Sequence, residues 1–269
     1  MKPCIIKQPA GIGDVFYCQK IAHYMVHHGF DVIWPLRPDI AWIGDYIKGY
    51  GITFPTIEDD FPGKDIYDQA AGWVIEDKGA FICPATADLT HNDGKTMSSK
   101  LTMLGMEHED WRDYFLFKRN LDKENDLYYN VLGLKDDTEY VFISNLYNTD
   151  IRDSKFISKD QFDLPVVELQ ILDGFTLFDW CKVLEKAKKI YTVNTAINYI
   201  IDVLDTSYEE YVIYAHDEEN KTQIDYLFNK PHTMLCRSEN LKVTSILGSK
   251  HLETQHSLPF PMPSTFVMV

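Results

Sequence analysis

Residues 4–35 restrict the possible folds more than any other stretch of the chain. Residues 4–8 (Cys-Ile-Ile-Lys-Gln) read as a short strand, and Pro9-Ala10-Gly11-Ile12-Gly13 reads as a turn. A helix follows, with Val15, Ile21, Ala22, Met25 and Val26 on one face. Asp14 is placed to cap that helix or to supply its first-turn acid. Gly29 ends the helix, and residues 31–35 (Asp-Val-Ile-Trp-Pro) read as a second strand. Strand, glycine turn, helix, glycine stop and strand within about thirty residues is the size of a right-handed βαβ crossover. Such a unit makes its two strands parallel and builds an α/β sheet.

The same rhythm continues along the chain. Strands are expected at 52–57, 80–83, 139–144, 165–169, 190–193, 211–214 and 233–236. Helices are expected near 40–47, 96–104, 127–132, 178–187 and 197–204, with another between the last two strands. Strands alternating with helices imply parallel sheets. The charged, broken stretch at 107–126 is the natural place for a boundary. The expected organisation is therefore an N-terminal Rossmann-like lobe over 1–115, a C-terminal one over 116–250, and an extended tail over 251–269. The proline run Leu258-Pro-Phe-Pro-Met-Pro keeps the tail from being helical. A length of 269 residues accommodates two such lobes.

Charge and composition narrow the function. Asp and Glu total 41 against 26 Lys and Arg, a net charge of -15, which repels polyanions and disfavours a nucleic-acid-binding module. No apolar run approaches the roughly 20 residues that span a bilayer. The N-terminus runs into a strand without the core of a signal peptide, so a cytoplasmic location is expected. Five scattered cysteines (Cys4, Cys18, Cys83, Cys181, Cys236) lack zinc-ligand spacing, and three of them sit in apolar segments where a free thiol acts as a small hydrophobe. Asp59-Asp60 and Asp136-Asp137 read as solvated turns, and His27-His28 as a helix C-terminus, so no metal site is expected. Trp73, Trp111 and Trp180 read as packing residues, Trp111 being the one whose charged context suits a cleft.

Two segments have the character of sites. In Gly11-Ile12-Gly13-Asp14, two glycines after a strand let the backbone turn sharply and approach a ligand. Ligands in open α/β sheets collect at the carboxyl ends of strands, where this loop belongs. The plainer alternative is an ordinary βα turn capped by Asp14. A dinucleotide fingerprint is excluded: position 16 is Phe16 rather than glycine, and Asp31 starts the second strand instead of ending it. The second segment, 177–204, reads as helix, strand, polar turn and helix. Its turn, Asn194-Thr195-Ala196, offers free N–H groups and the positive end of a helix dipole to a diphosphate. The plainer alternative is simple capping.

Together these two segments resemble the heptosyltransferase-like glycosyltransferases of the two-lobed GT-B fold. That family has a Gly-x-Gly-Asp turn after its first strand. In its second lobe an Asp-Ser/Thr-Gly/Ser-x-x-His turn opens a helix. The first motif is intact here as Gly11–Asp14. In the second, Asn194 stands for Asp, Ala196 for the small residue and Tyr199 for His. The resemblance implies two Rossmann-like lobes facing a central cleft, in a compact version. It implies that Asp14 is the general base and that Gly11, Gly13, Asn194, Thr195, Ala196 and Tyr199 bind the donor. Arg152 and Lys155, in the loop after the 139–144 strand, are the nearest cations for the phosphates. The implied reaction moves a sugar from a nucleotide-diphosphate donor to an acceptor hydroxyl, with inversion, no metal and no further cofactor. The acceptor is left open between a glycan, a lipid-linked sugar and a hydroxylated DNA base, the last disfavoured by charge. Two alternatives stand beside this: a non-catalytic relative that binds nucleotide or glycan, and a single-domain phosphate-ester or nucleotide-processing enzyme.

Overall fold

The structure, a computed structural model, describes residues 2–9, 11–47, 51–69, 73–76, 79–84, 96–146 and 157–236. The opening βαβ unit forms as expected. Strand β1 (Lys2–Ile6) leads into helix α1 (Ile12–His27), which returns the chain to β2 (Phe30–Ile33). β1 and β2 are parallel, with Cys4 opposite Val32. Helix α2 (Ile43–Ile47), β3 (Ile52–Thr53), helix α3 (Lys64–Gln69), β4 (Trp73–Glu76) and β5 (Gly79–Ile82) complete the first sheet, in the order β3-β2-β1-β5-β4. Its one antiparallel pair joins β4 to β5. The sequence pattern marks neither β4 nor α3.

Helices α4 (Thr96–Thr102) and α5 (Leu121–Asn125) precede the second sheet. This sheet contains β6 (Val141–Ser144), β7 (Val166–Glu168), β8 (Lys189–Val193), β9 (Glu210–Ala215) and β10 (Thr233–Cys236), in the order β10-β9-β8-β6-β7. All its pairs are parallel. Helices α6 (Cys181–Lys186), α7 (Ile197–Val203) and α8 (Glu218–Ile224) make the crossovers after β7, β8 and β9. The fold is thus α/β with two parallel-dominated sheets.

Both sheets share one apolar cluster, which runs from Cys4 and Val32 through Phe16 to Phe178 and Ile200. Phe16 on α1 stacks on Phe115 at 4.5 Å and lies 5.3 Å from Phe178, just ahead of α6. Tyr46 on α2 stacks on the same Phe178 at 4.8 Å, and its hydroxyl donates to Asp179 at 3.0 Å. This shared packing explains α1. The pattern of spaced apolar residues predicts one buried face, yet every residue from Val15 to Ala22 is buried, Gln19 and Lys20 included. The helix is covered on one side by its own sheet and elsewhere by α4, the 111–115 segment, Phe178 and α7. Lys20 is paired there with Asp110.

Trp111 is a packing residue, as expected, and its charged context does not bring it to the surface. It is 1% exposed, its indole Nε1 donates to the Leu227 carbonyl at 3.0 Å, and it packs against Tyr17 and Tyr199. Its acidic neighbours lie in a loop while the ring itself turns inward. Trp180 is buried, as expected, and the side chain of Trp73 lies outside the described residues. All five cysteines are free and buried. The Asp59 carboxylate accepts from the Thr56 amide at 2.7 Å, which makes it a turn residue. Among the described residues no helix is long and apolar enough to cross a membrane.

Candidate functional site

β1 ends at Ile6, and the Lys7 amide still donates to Ile82 on β5 at 2.7 Å. The chain then turns into α1 through Gly11, whose φ of 81° lies in the left-handed region that favours glycine. Glycine is required there a second time. The Asp14 side chain folds back over Gly11, so that a Cβ at position 11 would overlap its carboxylate. Asp14 is therefore a first-turn acid lying over the turn, in the favourable field of the α1 N-terminus.

The carboxylate meets a cation that the sequence reading did not single out. Lys100 Nζ lies 3.3 Å from Asp14 Oδ1, the lysine side chain being 4% exposed and the aspartate 30%. Lys100 sits on α4 between buried Ser99 and Leu101, and its Nζ also lies 3.5 Å from the Pro84 carbonyl just past β5. In the sequence it is one of 26 basic residues, with nothing local to set it apart.

Gly13 serves a different contact. A Cβ there would come within 2.9 Å of Tyr199 Cε2, so the missing side chain lets the tyrosine ring lie against α1. Tyr199 belongs to α7, and its ring is 5.2 Å from both Trp111 and Phe228. Burial pushes its hydroxyl well above the usual tyrosine range, and the negative charge of Asp14 adds to the effect. It stays protonated at any ordinary pH. Tyr17 is raised in the same way, chiefly by burial, and its hydroxyl has no hydrogen-bond partner among the described residues.

The second turn lies one helical turn from this contact, since the Tyr199 amide donates to the Ala196 carbonyl at 3.2 Å. Asn194 is anchored: its backbone amide donates to Tyr214 at 3.0 Å, and its side chain donates to Asn220 at 3.3 Å. Its amide is thus consumed by the sheet, whereas the amides of Thr195 and Ala196 meet no acceptor among the described residues. Asn198 holds the turn from beneath. It donates to the Val193 carbonyl at 3.1 Å and accepts from Thr192 at 2.6 Å and Tyr211 at 3.0 Å. Arg152 and Lys155 lie outside the described residues. No group of three or more His, Cys, Asp or Glu able to hold a metal occurs among the described residues.

Two motifs far apart in sequence therefore meet at Gly13 and Tyr199, at the carboxyl ends of β1 and β8. The junction offers a half-exposed carboxylate fixed by an ammonium, two unused amides at a helix start, and a tyrosine that cannot act as a base.

No family model matches this chain, and no curated protein does. Solved structures similar to it are glycosyltransferases. One is a family 9 glycosyl transferase from Veillonella parvula, 8% identical, with a TM-score of 0.45, covering 94% of this chain and 90% of that one. Another is the E. coli heptosyltransferase WaaC with ADP, 10% identical, with a TM-score of 0.46, covering 91% and 99%. A third is the spinosyn forosaminyltransferase SpnP, 11% identical, with a TM-score of 0.41, covering 87% and 85%. Likeness at these scores is too weak to decide an activity.

Proposed function

We propose that this protein is a glycosyltransferase that moves a sugar from a nucleotide-diphosphate donor to an acceptor hydroxyl, with inversion and without a metal. The observation that supports this is the meeting of the Gly11–Asp14 turn with the helix that follows Asn194-Thr195-Ala196. Each segment was read separately as a site, and the contact of Gly13 with Tyr199 puts them side by side. In this reading residues 1–115 and 116–250 are the two lobes and the junction is the floor of a cleft between them. Asp14 takes the proton from the acceptor hydroxyl as that oxygen attacks the anomeric carbon. The leaving diphosphate lies against the amides of Thr195 and Ala196, with Arg152 and Lys155 as its cations and the backbone of Gly11 and Gly13 beside it. Nucleotide sugars of the cytoplasm are the donors, and the acceptor is a glycan, a lipid-linked sugar or, disfavoured by the net charge, a hydroxylated DNA base.

The test is release of nucleoside diphosphate from a panel of ADP-, GDP-, UDP- and dTDP-sugars in the presence of EDTA. Asp14→Asn should lower turnover by about a hundredfold or more, the usual scale for a general base. Activity near wild type in that variant rules Asp14 out. One observation favours a second reading, a relative that binds without catalysis. Where the resembling family has a histidine, this chain has Tyr199, buried and filling the space beside Gly13. Binding of a nucleoside diphosphate without turnover of any donor would favour that reading.

A further inference from the structure

We propose that Lys100 is the positioning residue for Asp14, holding its carboxylate charged and turned over the Gly11 turn. The inference rests on the reading of Asp14 as the base. A buried ammonium is costly unless it is paired, and an apolar side chain of similar size in its place is often neutral or stabilising. Packing alone therefore gives little reason for a lysine that is 3% exposed. Its position relative to Asp14 gives one. Lys100 Nζ faces Asp14 Oδ1 at 3.3 Å, while Oδ2 lies over Gly11, which is exposed. One oxygen is held by the ammonium and the other is directed to the turn where an acceptor hydroxyl would arrive.

The groups around the carboxylate come from several elements. α4 contributes Lys100, and α7 contributes Tyr199, which feels the charge of Asp14. Around Tyr199 stand Cys18 of α1 and Tyr226, and Tyr17 of α1 feels Tyr199, Tyr226 and, more weakly, Glu109. Tyr199 and Tyr17 are held protonated by burial. Lys100 brings a positive charge to Asp14. An ammonium at this distance favours the ionised carboxylate. In this proposal Asp14 is deprotonated when the acceptor hydroxyl arrives.

Two measurements on the full chain test this, in wild type, Lys100→Met and Lys100→Arg. The first follows the Asp14 carboxyl carbon by NMR in aspartate-labelled protein, with the signal identified by its loss in Asp14→Asn. Lys100→Met should raise the pH of half-titration by about one unit, and Lys100→Arg should leave it near wild type. If Lys100→Met does not fold, Lys100→Gln takes its place. The second measurement is the pH profile of nucleoside diphosphate release, whose acid limb should move upward with the titration in Lys100→Met and be restored in Lys100→Arg. An unchanged titration in the uncharged variant overturns the proposal whether or not the protein is active. A titration that moves while the acid limb of an active enzyme stays in place overturns it too. If wild type turns over no donor, the glycosyltransferase reading fails, and the titration still decides whether Lys100 sets the charge of Asp14.

Discussion

Replacing Gly13 by alanine tests the contact on which the site depends, because the two halves of the chain meet there without a side chain between them. The new Cβ would stand 2.9 Å from Tyr199 Cε2, where ordinary contact begins at 3.4 Å. The ring has nowhere easy to move, since Trp111 and Phe228 lie against it at 5.2 Å each and all three are buried. Overpacking of this kind costs about 1–3 kcal/mol. Against it stands the helix preference of alanine over glycine, up to about 1 kcal/mol in a helix interior and less in the first turn. The net expectation is a loss of about 1–2 kcal/mol, read as a lower urea midpoint with an unchanged slope. The same substitution in a Tyr199→Ala background should have the opposite sign, because the obstruction is gone and only the helix preference remains. Coupling between the two positions should then be of order 0.5–3 kcal/mol, the range for residues in contact. If Gly13→Ala stabilises the chain when Tyr199 is present, α1 and α7 do not meet as described and the site loses its frame.

Two further outcomes are expected. Ala196→Ile should weaken nucleoside diphosphate binding measured by calorimetry and change stability only modestly, since position 196 lies in a half-buried turn; affinity equal to wild type would remove this turn from the donor site. Tyr46, Tyr67 and Tyr208 are each pushed up to about 12, chiefly by burial. The unfolded chain releases these protons near pH 10, so their contribution is complete below that pH and is lost as pH rises toward 12. The thermal midpoint should accordingly decline between pH 10 and 12, and a flat profile over that interval would contradict the burial of these rings.

The residues themselves carried the opening βαβ unit, the alternation that makes both sheets mostly parallel, and the turns at Gly11–Asp14 and Asn194–Ala196. Each of these depends on neighbours close in sequence: a left-handed glycine, a first-turn acid, an apolar run of strand length. Short elements were less legible. β4 and α3 lie between turns and hold little of the apolar periodicity that marks longer segments. Trp111 shows why charge along the chain misleads, because its acidic neighbours stay in the loop while the ring enters the core. Tertiary structure alone decided the rest. Nothing near Lys100 in the sequence signals that β5 and α4 bring it to Asp14, for that pairing depends on how the chain crosses the first sheet. Nothing near Gly13 signals that its open face belongs to Tyr199, 186 positions away. Local propensity governs which elements form. Where two elements touch is governed by the burial of surfaces that become neighbours only when both sheets are complete, which is also why every residue of α1 from Val15 to Ala22 is buried when its sequence shows one apolar face.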